Sequence, residues 1–316
     1  MDTNVASPVD VGQYRKLLFS VAFRLVGSTQ DAEDMVQEAY ARWYSMDEHA
    51  QSVIRVPQAW LVQVTSRVCL DQLRSARVRR EAYVGDWLPE PVPTSCLTAN
   101  LGASAMPCDP AENVTLDESV STALLVLLEE VTPAERVTFI LHDVFGVPFK
   151  EIADIVGRST AACRQLAVSA RRHVRSERYG RPADAKAHSA VVSAFRNACT
   201  SGNLEGLVST LAPDVVVRVD GGGKTRAALR PVIGSSKVAR FALGIVLRQE
   251  AAQLVERSVN GEPGILLMSR DRVVRVYSFD VVDGRIARIW IVANPDKLGF
   301  WNASSKPDRG DLESIR

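Results

Sequence analysis

The chain has little from which a metal site or a disulfide framework could be built. Its five cysteines, Cys69, Cys96, Cys108, Cys163 and Cys199, show neither paired zinc-site spacing nor a disulfide pattern, which leaves them as reduced, mostly packed thiols. Among the four histidines, His49, His142, His173 and His188, none stands at ligand spacing from another, so neither a metal nor any other cofactor is expected. No apolar run approaches the roughly 18 residues of a membrane span. Met1 to Asp10 lacks a charged and then apolar leader, so the expected location is cytoplasmic, with no membrane partner. Net charge is nearly missing too: 38 Lys and Arg face 37 Asp and Glu, which says nothing until their distribution is read. At 316 residues, 46% hydrophobic and 24% charged, the composition is that of a soluble protein of two or three domains.

What is present is an uneven spread of charge. Residues 148 to 175 read as a helix-turn-helix: Pro148 and Phe149 open a short helix through Ile155, Gly157 supplies the turn, and a second helix follows from Thr160. Cys163, Leu166, Ala170 and Val174 share one face of that helix, leaving Thr160, Arg164, Gln165, Arg171, Arg172 and Arg175 on or near the other. Between Arg158 and Arg178 six arginines stand against one glutamate, enough to displace counterions from several phosphates of a duplex. Thr160, Arg164 and Gln165 sit nearest the helix start, where base edges are read, while Arg171, Arg172 and Arg175 are placed to anchor the backbone. The same pattern also describes an arginine-rich solvated helix, and this stretch alone does not separate the two.

Upstream, Tyr14, Leu17, Leu18, Val21, Ala22 and Leu25 recur at helical spacing up to Gly27. Ser28 or Thr29 caps a second helix, from about Asp31 to Tyr44, with Ala32, Met35, Val36, Ala39 and Trp43 inward and Asp31, Glu33, Asp34 and Glu38 outward. Acids at a helix start either complement the macrodipole or form a face for a partner. After a polar stretch from Ser45 to Val56, Pro57 begins a long helix whose tail carries Arg74, Arg77, Arg79 and Arg80, a second cationic surface suited to DNA. Residues 84 to 116 break the pattern with two proline-containing clusters, no lysine or arginine, and the acids Asp86, Glu90, Asp109 and Glu112. Such a tether is either merely solvated or fit to occupy a basic channel. Helices resume from Leu116 to Glu130, and Thr132, Pro133 and Glu135 start the helix leading to the helix-turn-helix.

Beyond Asp184 the character changes. Val191 to Cys199 and Gly202 to Leu211 look helical; Val215 to Val219, Gly264 to Ser269, Arg272 to Val282 and Arg285 to Ala293 look like strands, the last two joined by an Asp283-Gly284 turn of type I′. Helices followed by antiparallel strands imply an α+β domain with a curved sheet. Asp220, Asp280 and Asp296 are its candidate acids, but His188 is its only histidine and no acid-base pair is legible. Asp220 with three glycines also makes a tight loop, and Asp296 can cap or pair with Lys297.

In this order the pieces resemble a bacterial sigma factor of the extracytoplasmic-function class, over nearly the whole chain. The stretch Asp31-Ala32-Glu33-Asp34-Met35-Val36-Gln37-Glu38-Ala39 is similar to region 2.2, and the resemblance implies that Asp31, Glu33, Asp34, Gln37 and Glu38 dock on the clamp helices of the β′ subunit of RNA polymerase core, with the β subunit as a further partner. Trp60 to Arg80 resembles regions 2.3 and 2.4, which open and read the minus-10 promoter element, and the helix-turn-helix resembles region 4, reader of the minus-35 element. Ser169 departs from relatives that carry a basic residue there. The organisation implied is multidomain: an all-α region 2 at residues 1–83, an acidic linker at 84–116, an all-α region 4 at 117–180, an α+β SnoaL-like cone domain at 185–300 and a tail at 301–316.

Three short motifs narrow the resemblance to the subgroup with a fused SnoaL-like domain. They are Trp87-Leu88-Pro89-Glu90-Pro91, Asp220-Gly221-Gly222-Gly223-Lys224 and Asn294-Pro295-Asp296-Lys297-Leu298. The expectation is that the first two meet, with Lys224 facing Glu90, so that the C-terminal domain governs the spacing of the two DNA-binding modules. The reading is thus a promoter-specificity subunit controlled in cis, without chemistry of its own. The alternative is a DNA-tethered enzyme or regulator whose cone cavity takes a small molecule, for which the sequence names no ligand.

Overall fold

Caps written into the sequence set the limits of the first helices. In the computed structural model, which describes residues 10–81, 83–94, 120–177 and 183–303, α1 (Arg15–Val26) stops at Gly27. Its φ of +70° suits a residue without a Cβ, and its N–H returns to Phe23 O at 2.8 Å. Ser28 accepts the Asp31 N–H to start α2 (Thr29–Tyr44). Asp47 accepts the Ala50 N–H to start α3 (Glu48–Val53), a helix inside the stretch described from sequence only as polar. Pro57 opens α4 (Pro57–Glu81). Ser121 caps α5 (Thr122–Glu129), and a full capping box of Thr132 and Glu135 starts α6 (Pro133–Phe139), which continues into a π-helical turn at Ile140–Val144. Then α7 (Phe149–Val156), Gly157 at φ +71° and α8 (Thr160–Glu177) form the helix-turn-helix.

Two compact units result. The first takes the described parts of residues 1–75, 98–113 and 132–170, the second those of 76–97, 114–131 and 171–316, so the division falls within α4 and α8. In the first unit α1 is buried from Leu17 through Val26, more completely than a one-sided amphipathic helix requires. The reason is that α2 covers one side of it and the π-helical turn another. Two arginines are buried there as a consequence, and both are provided for. Arg24 donates to Ser20 O at 3.0 Å and to the Ser20 hydroxyl, with its guanidinium 5.5 Å from the Phe145 ring centre. Arg136 donates to Arg24 O at 3.4 Å, and burial draws its pKa down to about 9, which still leaves it charged at neutral pH. Arg67 of α4 donates to Asp154 O of α7 at 3.0 Å.

The second unit is built on a mixed sheet. After α9 (Ala185–Ser201) and α10 (Leu204–Thr210) come β1 (Leu211–Asp220), β2 (Val232–Ile233), α11 (Ser235–Leu247), β3 (Gln253–Val259), β4 (Glu262–Ser269), β5 (Arg272–Val282), β6 (Arg285–Val292) and the short α12 (Gly299–Ala303). The spatial order is β2-β1-β6-β5-β4-β3. All neighbours are antiparallel except β1 and β6, which run parallel with Val217 opposite Ile289, a correction to the fully antiparallel sheet expected. The long excursion through α11 and four strands lets the chain return in the same direction. Asp283 and Gly284 have φ of +50° and +73°, the two positive values that a type I′ turn needs.

Both faces of this sheet are covered. On one, α9, α10 and α11 bury Phe195, Leu207, Val238, Leu267, Phe279 and Ile289. On the other, Leu266, Val276, Trp290 and Leu298 pack with Leu88 from the stretch after α4, with Ala123 and Val126 of α5, and with Trp301 of α12. Alternation along the strands sends successive side chains to opposite faces, which is why Leu266 and Leu267 serve different clusters.

Candidate functional site

The cationic residues singled out in the sequence belong to α4 and α8. Arg74 is exposed on α4, 3.3 Å from Asp71. Arg77, Arg79 and Arg80 belong to the last turns of α4, but their side chains lie outside the described residues. On α8, whose first residue is Thr160, the side chains of Arg164, Gln165, Arg172 and Arg175 are exposed, while Arg171 is half-buried and Cys163, Ala170 and Val174 face inward. Arg164 lies 5.8 Å from the centre of the Phe149 ring, and that ring stacks on His142 at 3.8 Å, so the guanidinium is held over an aromatic face at the start of α7. Of the acidic face on α2, Glu33 pairs with Arg15 and Glu38 with Arg42, Asp31 accepts from Gln72, and Asp34 and Gln37 are exposed. The near-surface ion pairs among these are worth about 0–1 kcal/mol each.

A second constellation lies in the unit of the sheet, where the three short motifs converge on one carboxylate. Asp220, at the end of β1, has no exposed surface. Its Oδ1 accepts from the Tyr83 hydroxyl at 2.6 Å and the Gly222 N–H at 3.0 Å, and its Oδ2 accepts from the Leu88 N–H at 3.0 Å and the Lys297 ammonium at 2.7 Å. Lys297 also donates to Leu88 O, and its Nζ sits 4.1 Å from the Trp87 ring centre and 5.3 Å from that of Tyr83. Burial, and after it the bond to Asp220, push the Tyr83 phenol well above its ordinary range and keep it protonated. Asn294 donates to the Tyr83 oxygen at 2.9 Å and accepts the Asp296 N–H at 3.1 Å, which fixes the turn at Pro295–Lys297. Gly222 and Gly223 have φ of +59° and +68°, and a Cβ on Gly222 would stand 2.4 Å from the Asn294 amide nitrogen. That close approach is what the glycines supply.

A second clamp holds the same segment a few residues on. Asn260, in the β3–β4 turn, is fully buried; its N–H donates to Val92 O at 2.9 Å and its Oδ1 accepts the Val92 N–H at 2.8 Å. Its Nδ2 reaches Glu90 O at 3.4 Å and the Thr122 hydroxyl at 3.2 Å, and Trp301 donates to Pro91 O at 2.8 Å. Residues 88–92 are therefore buried rather than solvated, whereas Asp109 and Glu112 of the expected acidic tether lie outside the described residues.

One expected pairing is corrected. Lys224 does not serve Glu90: it is a surface residue bonded to Asp296 at 2.5 Å, and the buried ammonium of the site is Lys297. Each candidate acid of the domain has a cation at hand, Asp220 with Lys297, Asp296 with Lys224, and Asp280 with Arg288 at 3.9 Å. His188 is buried in α9 and burial lowers its pKa to about 4, so it is neutral at physiological pH. The gap lined by Phe195, Cys199, Ala242, Val246, Leu254, Ile265 and Tyr277 inside the cone has no room for a water molecule. Tyr83, Asn260 and Trp301 were not singled out from sequence. For Asn260 the Asn-Gly pair at 260 and 261 was a usable hairpin signal, whereas nothing local marks Tyr83 or Trp301.

Comparison with known proteins agrees with this arrangement. The sequence profiles of Sigma-70 region 2 and Sigma-70 region 4 match residues 11–79 and 121–174. The chain is 44% identical over 297 residues to the ECF RNA polymerase sigma factor SigJ of Mycobacterium tuberculosis, covering 90% of each. It is 35% identical over 296 residues to the probable ECF RNA polymerase sigma factor SigI of the same species, covering 90% of this chain and 92% of the relative. The crystal structure of M. tuberculosis SigJ matches with a TM-score of 0.67 at 40% identity, covering 90% of this chain and 95% of that one. Two cationic helices, an acid-studded α2 and a cone domain fastened to the stretch between the sigma regions thus occur in one sequence, and the chain belongs to the extracytoplasmic-function family of RNA polymerase sigma factors.

Proposed function

We propose that this sigma factor is governed by its own C-terminal domain, which holds the segment between regions 2 and 4 and so sets the reach available to the two DNA readers. The carrying observation is the Asp220 and Lys297 pair, which grips both backbone groups of Leu88. A tether fastened at Leu88 and again at Val92 gives region 4 a shorter effective leash than the count of intervening residues allows. In the polymerase complex, Asp31, Glu33, Asp34, Gln37 and Glu38 meet the β′ clamp helices and region 4 lies toward the β subunit. Arg74, Arg77, Arg79 and Arg80 hold phosphates beside the opened minus-10 element, Thr160, Arg164 and Gln165 read minus-35 base edges, and Arg171, Arg172 and Arg175 grip the adjoining backbone. No helix among the described residues is long and apolar enough to cross a membrane, and the protein works in the cytoplasm beside polymerase, without chemistry of its own.

Run-off transcription with core polymerase tests the regulatory part. The full chain is compared with Asp220→Asn and Gly222→Val, which loosen the grip, and with a chain trimmed after Leu298, which removes Trp301. Differing initiation rates are expected, with the two point variants shifted the same way. Identical rates from all four proteins would defeat it.

A further inference from the structure

We infer that the C-terminal domain carries a nucleic-acid contact of its own, a duplex-phosphate surface formed by Arg226, Arg230, Lys237 and Arg240. From Gly221 through Gln249 the chain has six lysines and arginines and no aspartate or glutamate, in a protein whose overall charge is nearly balanced. All four named cations are exposed. Arg226 and Arg230 lie in the loop that enters β2, the edge strand of the sheet. Lys237 and Arg240 follow on α11, three residues apart and so on one side of the helix. They form no ion pair among the described residues, which leaves their charges open to a ligand. Long cations without ion pairs, spread over a loop beside a sheet edge and a helix in a stretch of sequence without acids, suit a phosphate backbone and give no base readout. It would add affinity and salt dependence to the promoter complex without adding sequence preference.

This inference rests on the sigma-factor reading, so the experiment first checks that the full chain co-elutes with core RNA polymerase. Binding of that holoenzyme to a mixed-sequence duplex of about three helical turns is then followed by fluorescence anisotropy across a salt series. The wild type is compared with the fourfold Arg226→Ala, Arg230→Ala, Lys237→Ala, Arg240→Ala variant and with a variant carrying lysine at the three arginine positions. Each lost phosphate contact takes about 0.9 from the slope of log K against log salt. The alanine variant is expected to lose about 2 to 4 units of slope and at least about tenfold in affinity near physiological salt, with the lysine variant close to wild type. An unchanged slope overturns the inference, and so does weaker binding at unchanged slope, which would place the patch against an acidic protein surface instead. Failure of the wild type to join core would overturn the sigma-factor reading itself, and this inference with it.

Discussion

The Lys297 ammonium donates to the Asp220 carboxylate at 2.7 Å in a place where the lysine side chain is only a tenth exposed and the aspartate not at all. A buried charge deprived of its partner is far more costly than the pair is worth, so Asp220→Asn or Lys297→Met should each destabilise the C-terminal unit by about 3–5 kcal/mol. Chemical denaturation of the two single variants and the double variant checks this. The double should lose clearly less than the sum, and strict additivity would show that the two side chains are not coupled.

Gly222 and Gly284 both sit at positive φ, +59° and +73°, but only the first is crowded. Gly284→Ala should cost about 1 kcal/mol, the penalty of the backbone conformation alone. Gly222→Ala adds a clash with Asn294 and should cost about 2–4 kcal/mol. Thermal unfolding compares them directly, and equal losses would show that Asn294 moves away at no cost.

Arg164→Ala should flatten the preference among minus-35 variants by about 1–3 kcal/mol, while Arg172→Ala should weaken all sequences alike and reduce the salt slope by about 0.9. Competition binding with holoenzyme separates the two behaviours. An Arg164→Ala protein that kept the wild-type ranking of promoter variants would remove Arg164 from base readout.

His188 supplies a pH dependence of defined sign. Burial lowers its pKa from the ordinary 6.5 to about 4, so the folded state holds it neutral where the unfolded chain binds a proton. Its contribution to stability is present in full above pH 6.5 and is lost as pH falls from there toward 4. Urea midpoints of wild type and His188→Gln should therefore converge on acidification, and parallel curves across that interval would contradict the assignment.

Much of the fold was legible because its signals are local. Gly27 and Gly157 end helices, Pro57 and the Thr132 and Glu135 box start them, and β5 spans the Arg272 to Val282 that its alternation foretells. What sequence reading left unassigned was α3, β2, α11, β3 and α12. β2 has two residues, and β3 carries Glu256 and Arg257 in the middle of a largely unburied edge, so neither shows a clean period. At the candidate site, the three motifs came from family resemblance. Their partnership could not be read from charge order, because Lys224 and Lys297 look equally available in sequence. Only the depth at which each side chain ends sends Lys297 to Asp220 and leaves Lys224 on the surface. Asn260 was hidden for a related reason, since an Asn-Gly turn announces a hairpin but not that the hairpin tip will be buried.

The second face of the sheet has a practical consequence. A fragment cut out from about residue 185 would leave Leu266, Val276 and Trp290 without Leu88, Ala123 and Val126 above them, an oily scar on an otherwise water-compatible body. Grafting this cone onto another sigma factor therefore requires moving residues 83–94 and α5 along with it. A graft that omits them should clump in solution however well its helices and strands are preserved.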